Sequence, residues 1–467
     1  MHDSTEAPWP GGDPGPAAGP DGTAAGPDGT EAGPDGTEGV EGGDGTAPAS
    51  GGASREDVEQ LTVVSFSHAV QHFYPAGLAV AYPFVVSSLH VSYGLLGLVL
   101  GIAGVVGGLL QGLAAMASRF SARLLLSVQN FGLAVSSVLG AVAPGFALFG
   151  AARCVGNAVS WPQHPVGSAV LTRRFPTRRA YALSWHVAGG SIGTAVIPLV
   201  VSALIASYGW RVGVGFLAIP LAIGGTLVAW RLRDTHAADH AADHAAAHGG
   251  EHGPARAGAR AHFESIRALF GRRETAGAIL AGTIAAGGRG LGTLTVFVPA
   301  FLKSGLHLGT VTVGALFTAL LVGSILGPVV AGYVADRLGR RRVLVAVYVV
   351  GAATIVGLVS VGSDVAMLGV VGFLVGVFAY SESPLIQAVF SEGLAGLDVQ
   401  GSFGYYFAIS YGVGSLWTIG LGAIIDTAGF HWAFYTMALS FVGAAAVVAW
   451  ARPAVLPGAT PRPGSER

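Results

Sequence analysis

Arg153, Arg289 and Glu382 each fall inside a long apolar stretch, and so do His68, His72 and His164. A charge at a bilayer centre costs about 2.5–3.5 kcal/mol on insertion scales, so its retention needs a reason. Arg153, Asn157, Ser160, His164 and Ser168 follow one another at spacings of four, three, four and four. On a continuous helix that spacing makes one polar stripe, which either faces a water-filled cavity or clamps neighbouring helices by hydrogen bonds. Pro162 and Pro165 introduce a bend and loosen the register below Ser160. His68 and His72 are four apart and share a helix face. Histidine suits proton exchange; the other reading is a packing pair bonded to neighbouring helices. Two imidazoles by themselves do not make a zinc site.

Arg289 lies in the run Ala285-Ala-Gly-Gly-Arg-Gly-Leu-Gly292. Its glycines permit close helix approach or local unwinding, either of which brings backbone to a cavity. Arg289 then binds an anionic group of a solute, or it lies nearer a helix end and snorkels. Glu382, in Tyr380-Ser-Glu-Ser-Pro384, is the one acidic residue well inside an apolar stretch. It is either a proton carrier or a fixed counter-ion for Arg153 or Arg289. Asp336, Arg337 and Arg340 mark a helix end, as a latch between conformations or as solvated loop charges. His236, His240, His244 and His248 recur every four residues, with Asp239 and Asp243 between them and His252 and His262 beyond. They read as a metal-binding helix face or as solvated alanine-rich filler. No HExxH, GxSxG or P-loop lysine motif is present, so neither covalent chemistry nor a cofactor is expected.

The elements that must position these residues are membrane spans. The chain has 467 residues, 52% hydrophobic and 11% charged, with a mean hydropathy of +0.60. Soluble proteins are about 25% charged, so most of this surface cannot face water. Apolar runs long enough to cross a hydrocarbon core of about 30 Å recur at 61–86, 95–117, 124–143, 146–171, 181–206 and 212–230. After a polar stretch they resume at 276–302, 311–334, 343–361, 366–390, 405–425 and 432–450. Lipid-facing backbone must satisfy its own hydrogen bonds, and the runs lack the alternation of barrel strands, so twelve helices are expected. The single cysteine, Cys154, excludes an intrachain disulfide.

Residues 1–58 repeat Ala-Gly-Pro-Asp-Gly-Thr and bury too little apolar area to fold, so a disordered acidic tail is expected. It has neither the basic start nor the apolar core of a secretory signal, and the first span is expected to serve as its own uncleaved signal. Arginines crowd the loops on one side: 119 and 123, then 173, 174, 178 and 179, then 231 to 273, then 337 and 340–342. The opposite loops carry Arg211 and Lys303. The positive-inside rule therefore places both termini in the cytoplasm.

The chain also looks duplicated. Ala117-Ser-Arg-Phe-Ser-Ala-Arg123 answers Ala335-Asp-Arg-Leu-Gly-Arg-Arg341, Gln163-His-Pro165 answers Glu382-Ser-Pro384, and Gly190 with Trp210 answers Gly412 with Trp432. The offsets are 218, 219 and 222 residues. The expected plan is a cytoplasmic tail (1–58), a six-helix bundle (59–232), a histidine-rich cytoplasmic loop (233–273), a second six-helix bundle (274–451) and a cytoplasmic tail (452–467).

Gly332-Tyr-Val-Ala-Asp-Arg-Leu-Gly-Arg-Arg341 resembles the loop signature of the major facilitator superfamily. The N-terminal copy departs from it, with Ser118 at the aspartate position and Ser121 at the glycine. Arg153 is similar to that family's membrane-embedded arginine, and Gly209-Trp-Arg211 to its sixth-helix start. The resemblance covers about 60–451 and implies an all-α membrane fold of two pseudo-symmetric six-helix bundles. His164-Pro-Val-Gly-Ser-Ala169 and Gly189-Gly-Ser-Ile-Gly-Thr-Ala-Val-Ile-Pro198 look like fosmidomycin-resistance-type efflux carriers.

The resemblance implies a secondary transporter of the cytoplasmic membrane. It would work by alternating access around a cavity holding Arg153, Asn157, Ser160, His164, His68, His72, Arg289 and Glu382, with Asp336, Arg337 and Arg340 as the cytoplasmic gate. The expected activity is proton-coupled export of an organic or amphipathic anion by a monomer. Alternatives are uptake of a small carboxylate or other anion, and divalent-metal efflux through the histidine loop. Nucleic acid is not an expected partner.

Overall fold

A computed structural model describes residues 54–111, 120–233 and 259–451. The expected tails, outward of 54 and 451, and the histidines at 236, 240, 244 and 248 lie outside the described residues. What is described is helical throughout. The N-terminal half contains α1 (Arg55–Ser88), α2 (Tyr93–Gln111), α3 (Ala122–Val142), α4 (Phe146–Val159), α5 (Gln163–Arg174), α6 (Arg179–Tyr208), α7 (Trp210–Phe216) and α8 (Ala218–Arg231). The C-terminal half contains α9 (Ala259–Gly271), α10 (Arg273–Ala285), α11 (Thr295–Ala300), α12 (Thr310–Leu338), α13 (Arg340–Ser360), α14 (Val365–Glu392), α15 (Val399–Phe407), α16 (Trp417–Ala428) and α17 (Phe430–Trp450).

Among the described residues, ten helical stretches are long and apolar enough to cross a membrane. The two expected spans outside that set are the first, which is polar, and the fourth, which is broken into two short helices. α1 has 34 residues, but Gln60, Ser67, His68 and Gln71 are buried along it. The fourth span is interrupted: α4 ends at Val159, and α5 starts at Gln163 after Pro162. The sequence reading of one helix over 146–171 is corrected here. Proline cannot donate to the helical ladder, and the Ser160 amide turns back to the Asn157 carbonyl at 3.4 Å.

Three further breaks are built from glycine. Between Ala286 and Thr295 the seventh span unwinds, with Gly292 at φ +155. The freed carbonyls find side-chain donors. The Thr293 hydroxyl reaches the Gly287 oxygen at 2.8 Å, and that of Thr295 reaches the Gly290 oxygen at 2.7 Å. A wide turn also ends this span at Phe301–Gly305. The eleventh span passes through wide and tight turns at Ala408–Gly412 and Val413–Leu416 before α16 begins.

A seam of close backbone contact joins the halves. Gly94, Gly97, Gly101, Gly104 and Gly108 line one face of α2 and rest on the eleventh span. A Cβ at Gly97 would collide with the Thr418 carbonyl oxygen, and one at Gly108 would lie 2.7 Å from the Gly412 Cα. The Asp426 carboxylate accepts from the Tyr93 and Gly94 amides at 2.9 and 2.7 Å, capping the start of α2 from the other half. The Tyr93 hydroxyl donates to Ser304 Oγ at 2.8 Å. α6 meets α12 similarly, with the Thr318 hydroxyl donating to the Ala195 oxygen at 3.1 Å. The Asp426 clamp and the Tyr93–Ser304 bond lie at the end opposite the arginine loops.

At the arginine end, ion pairs close within a half. Arg174 binds Asp57 at 2.6 Å and also Glu56, while Arg231 binds Glu59. Hydrogen bonding from Ser54 and Arg174 outweighs burial and holds the Asp57 carboxyl below its usual value. In the other half, Arg340 reaches Glu392 at 3.4 Å, and Arg272 donates to the Gly393 and Ala395 carbonyls at 2.9 and 2.7 Å.

The seam makes a testable demand on α2. In a Cys154→Ser, Ser304→Cys background, Gly97→Val is expected to speed maleimide labelling at position 304 at least about fivefold, because overpacking costs about 1–3 kcal/mol. Gly145→Ala, where nothing lies within 4 Å of the added carbon, should leave labelling unchanged. Equal rates for both variants would refute a seam held by backbone contact.

Candidate functional site

Each half presents one arginine to a cavity of about 260 Å³ between them, whose lining includes Arg153, Asn157, Tyr82, Arg289, Tyr411 and Ser415. The unwound seventh span holds Arg289 in extended backbone at the edge of its break. Its guanidinium is fully engaged. Nε donates to Glu382 Oε1 at 2.6 Å, Nη2 to the Gly282 oxygen at 2.6 Å and Nη1 to the Ser410 oxygen at 3.1 Å. The Tyr411 ring lies 4.2 Å below the charge. Glu382, 0% exposed, takes a further bond from the Tyr348 hydroxyl at 3.3 Å. Of the two counter-ion assignments open in the sequence, the structure has Glu382 on Arg289. Gly290 makes the arrangement fit, since a Cβ there would run into the Tyr380 ring.

Arg153 is the asymmetric partner. It is 6% exposed and stacks over the Tyr74 ring at 4.7 Å. Gly156 admits that ring, and Tyr74 is held in turn by Ser136. One nitrogen, Nη2, donates weakly to Asn157 Oδ1 at 3.3 Å. Nε and Nη1 are buried without a well-formed hydrogen bond, with the Tyr74 and Tyr82 hydroxyls as polar neighbours of the charge. Among the described residues, the buried charged side chains are Arg153, Arg289 and Glu382. Glu382 neutralises Arg289, so the cavity retains the positive charge of Arg153.

The break after Val159 divides the expected stripe. Arg153 and Asn157 stay on α4 at the cavity, and Ser160 turns back to the Asn157 carbonyl. His164 goes with α5 to the histidines of α1. Its ring lies edge-on to those of His68 and His72, with centroids 4.9 and 5.8 Å apart. Gln163 fixes that turn: its Oε1 accepts from Ser67 Oγ at 2.9 Å and from Gln129 Nε2 at 2.8 Å, tying α5 to α1 and α3. His186 on α6 completes the cluster, stacked on His68 at 4.1 Å. Sequence reasoning missed His186. The available signal was its position four residues before Gly190, whose missing Cβ makes room for the His68 ring.

Residues 64–311 and 278–467 match the sequence profile of the Major Facilitator Superfamily. The chain belongs to the major facilitator superfamily. In structure it is similar to the nucleoside transporter NupG (14% identical in one variant, TM-score 0.68, covering 85% of this chain and 98% of that one). It is also similar to a bacterial homologue of the lysosomal transporter Spinster (14% identical, TM-score 0.61, 86% and 96% covered). A third neighbour is the peptide transporter POT in complex with alafosfalin (15% identical, TM-score 0.59, 83% and 93% covered). At these identities the likeness shows the fold. In sequence, 73 residues are 42% identical to the membrane sensor protein UhpC of Salmonella typhimurium strain LT2, over 15% of this chain and 16% of that protein's length. Superfamily membership supports membrane transport by an integral membrane protein.

The superfamily loop motif is placed at the end of α12. Asp336 faces Arg340 of the same motif at 3.8 Å, and Arg337 lies over the Tyr333 ring at 4.0 Å. Arg340 turns to Glu392 on α14. In this conformation the named pairs tie α12, α13 and α14 of one half.

Breaking a buried ion pair strands a charge, whereas replacing both members need not. Glu382→Leu alone is expected to destabilise the detergent-solubilised protein by about 3–5 kcal/mol, and adding Arg289→Met to recover most of that loss. Thermal unfolding of the three proteins checks it. A double variant no more stable than the single one would show that the pair does not set the stability of this region.

Proposed function

We propose that this superfamily member exports an organic or amphipathic anion from the cell in exchange for protons, working as a monomer by alternating access. The observation that carries the reading is the unsatisfied guanidinium of Arg153. Its Nε and Nη1 are buried without a well-formed hydrogen bond, no carboxylate pairs with it among the described residues, and it lines the cavity between the halves. A buried cation without a counter-ion is costly, and a bound carboxylate or phosphonate would supply the missing acceptors. Tyr82, Leu100, Val296 and Tyr411 give apolar area for an organic body. Unwound helices at the interface of two repeats are the usual setting for such a site.

Coupling is assigned to Glu382. While ionised it holds Arg289 away from the cavity charge balance. Exchange requires proton and anion to be carried in turn: Glu382 takes up a proton from outside once the anion has left, and gives it up to the cytoplasm, restoring the pair with Arg289, before the next anion loads at Arg153. With the arginine loops placed in the cytoplasm by the positive-inside rule, the Asp426 clamp and the start of the glycine seam lie at the outer face, which supports loading from the cytoplasm.

Purified protein in vesicles tests this. With an acidic exterior imposed, organic-anion efflux is expected to follow the proton gradient and to reverse with it. Arg153→Ala is expected to lower flux at least about tenfold, the equivalent of about 1.4 kcal/mol. Flux unaffected by Arg153→Ala would sink the site assignment. Solute-dependent signalling without flux would move the chain to a sensing role, the role named for UhpC.

A further inference from the structure

We propose that His68, His72 and His164 form a binding site for a divalent transition-metal cation of the zinc class, apart from the arginine cavity and independent of its role. Hydrogen-bond bookkeeping around the cluster leads there. His68 Nδ1 lies 2.7 Å from the His186 carbonyl oxygen, which can only accept, so His68 carries its proton on Nδ1. His72 Nδ1 lies 2.9 Å from Thr194 Oγ1, and Thr194 spends its own proton on the Gly190 carbonyl at 2.8 Å. His72 must therefore also donate from Nδ1. Both Nε2 atoms are left as bare acceptors, and they face each other at 3.0 Å. Two lone pairs at that distance repel unless a cation lies between them.

A third imidazole says which cation. The ligand nitrogens of His68, His72 and His164 lie within 4.8 Å of one another. Zinc takes imidazole nitrogens at about 2.0–2.1 Å in tetrahedral geometry, so drawing His164 inward completes three of four positions. His164 is the exposed member, free to make that movement and to leave the fourth position open to water or solute. Three neutral imidazoles without a carboxylate suit zinc, copper or nickel, and not calcium or magnesium, which need oxygen ligands. The outer shell is already built. Ligating histidines donate their second N–H to a carbonyl or another oxygen acceptor, and the His186 carbonyl and Thr194 hydroxyl are those acceptors. Gly190 belongs to the same construction: a Cβ there would sit 2.7 Å from His68 Cε1.

The test uses the full-length protein with His236, His240, His244, His248, His252 and His262 changed to alanine, so that the loop contributes no ligands. Co²⁺ is titrated by visible absorption, and Zn²⁺ by competition with a chromogenic chelator. One equivalent of each is expected to bind. Thr194→Val should weaken the Kd about 10- to 100-fold by freeing the His72 ring. His164→Gln should weaken it at least as much, without altering the elution profile of the metal-free protein. If the six-alanine protein elutes as its parent does but takes up no stoichiometric metal, the facing nitrogens share a proton and the proposal is overturned. Metal binding unchanged by both His164→Gln and His72→Gln would overturn it equally.

Discussion

Hydrocarbon offers a buried charge nothing, so each ionised group inside this molecule must find its compensation in protein. Arg289 finds it completely, in one carboxylate, two carbonyls and an aromatic face. That requirement shapes the C-terminal half. The seventh span must unwind to bring Arg289 toward Glu382 while still presenting carbonyls to it, and glycines at 287, 288, 290 and 292 allow the unwinding. The threonines at 293 and 295 then satisfy what the unwinding exposes. Ion pair, broken helix and threonine bonds are one arrangement, and none of the three is intelligible alone.

The N-terminal half solves the opposite problem. Its arginine rests on a tyrosine face and one amide, with two nitrogens left over. Its buried polar groups are spread over α1, α3, the broken fourth span and α6. Ser67, Gln129 and Gln163 join the first three by hydrogen bonds, so the half keeps its polar groups together. The pseudo-repeat is thus symmetric in path and asymmetric in charge. One half is electrostatically closed, and the other is open to whatever enters.

Much of this was legible in the sequence. Long apolar runs and arginine-rich loops marked the helices and their ends, because hydropathy acts locally and over many residues. The loop motif at 332–341 pointed to the family. Glu382 stood out as a proton carrier or a counter-ion, because a lone acid in a span has few other uses. The partner it chose did not, since helix neighbours in space carry no mark in one sequence. The stripe from Arg153 to Ser168 failed for a local reason: Pro162 stops the helix, and the residues beyond it turn to a different neighbour. His186 and Gln163 were silent because their meaning depends on tertiary contacts with α1 and α3. Asp426 likewise reads as a loop-end acid until α2 is placed against it.

The glycine face of α2 has a mechanical meaning as well as a packing one. Side chains that interlock behave like cogs, and parting two such helices requires each tooth to change rotamer before it clears. Between Gly94 and Gly108 there are no teeth on one side. Two smooth surfaces adhere through many weak attractions, each about 0.1–0.2 kcal/mol, and separate by rolling, so that these give way one after another along the line. A joint of this kind is stiff against sliding at its capped end, where Asp426 grips the α2 amides, and compliant along the rest. It behaves as a hinge whose pin is a carboxylate and whose leaves are bare backbone.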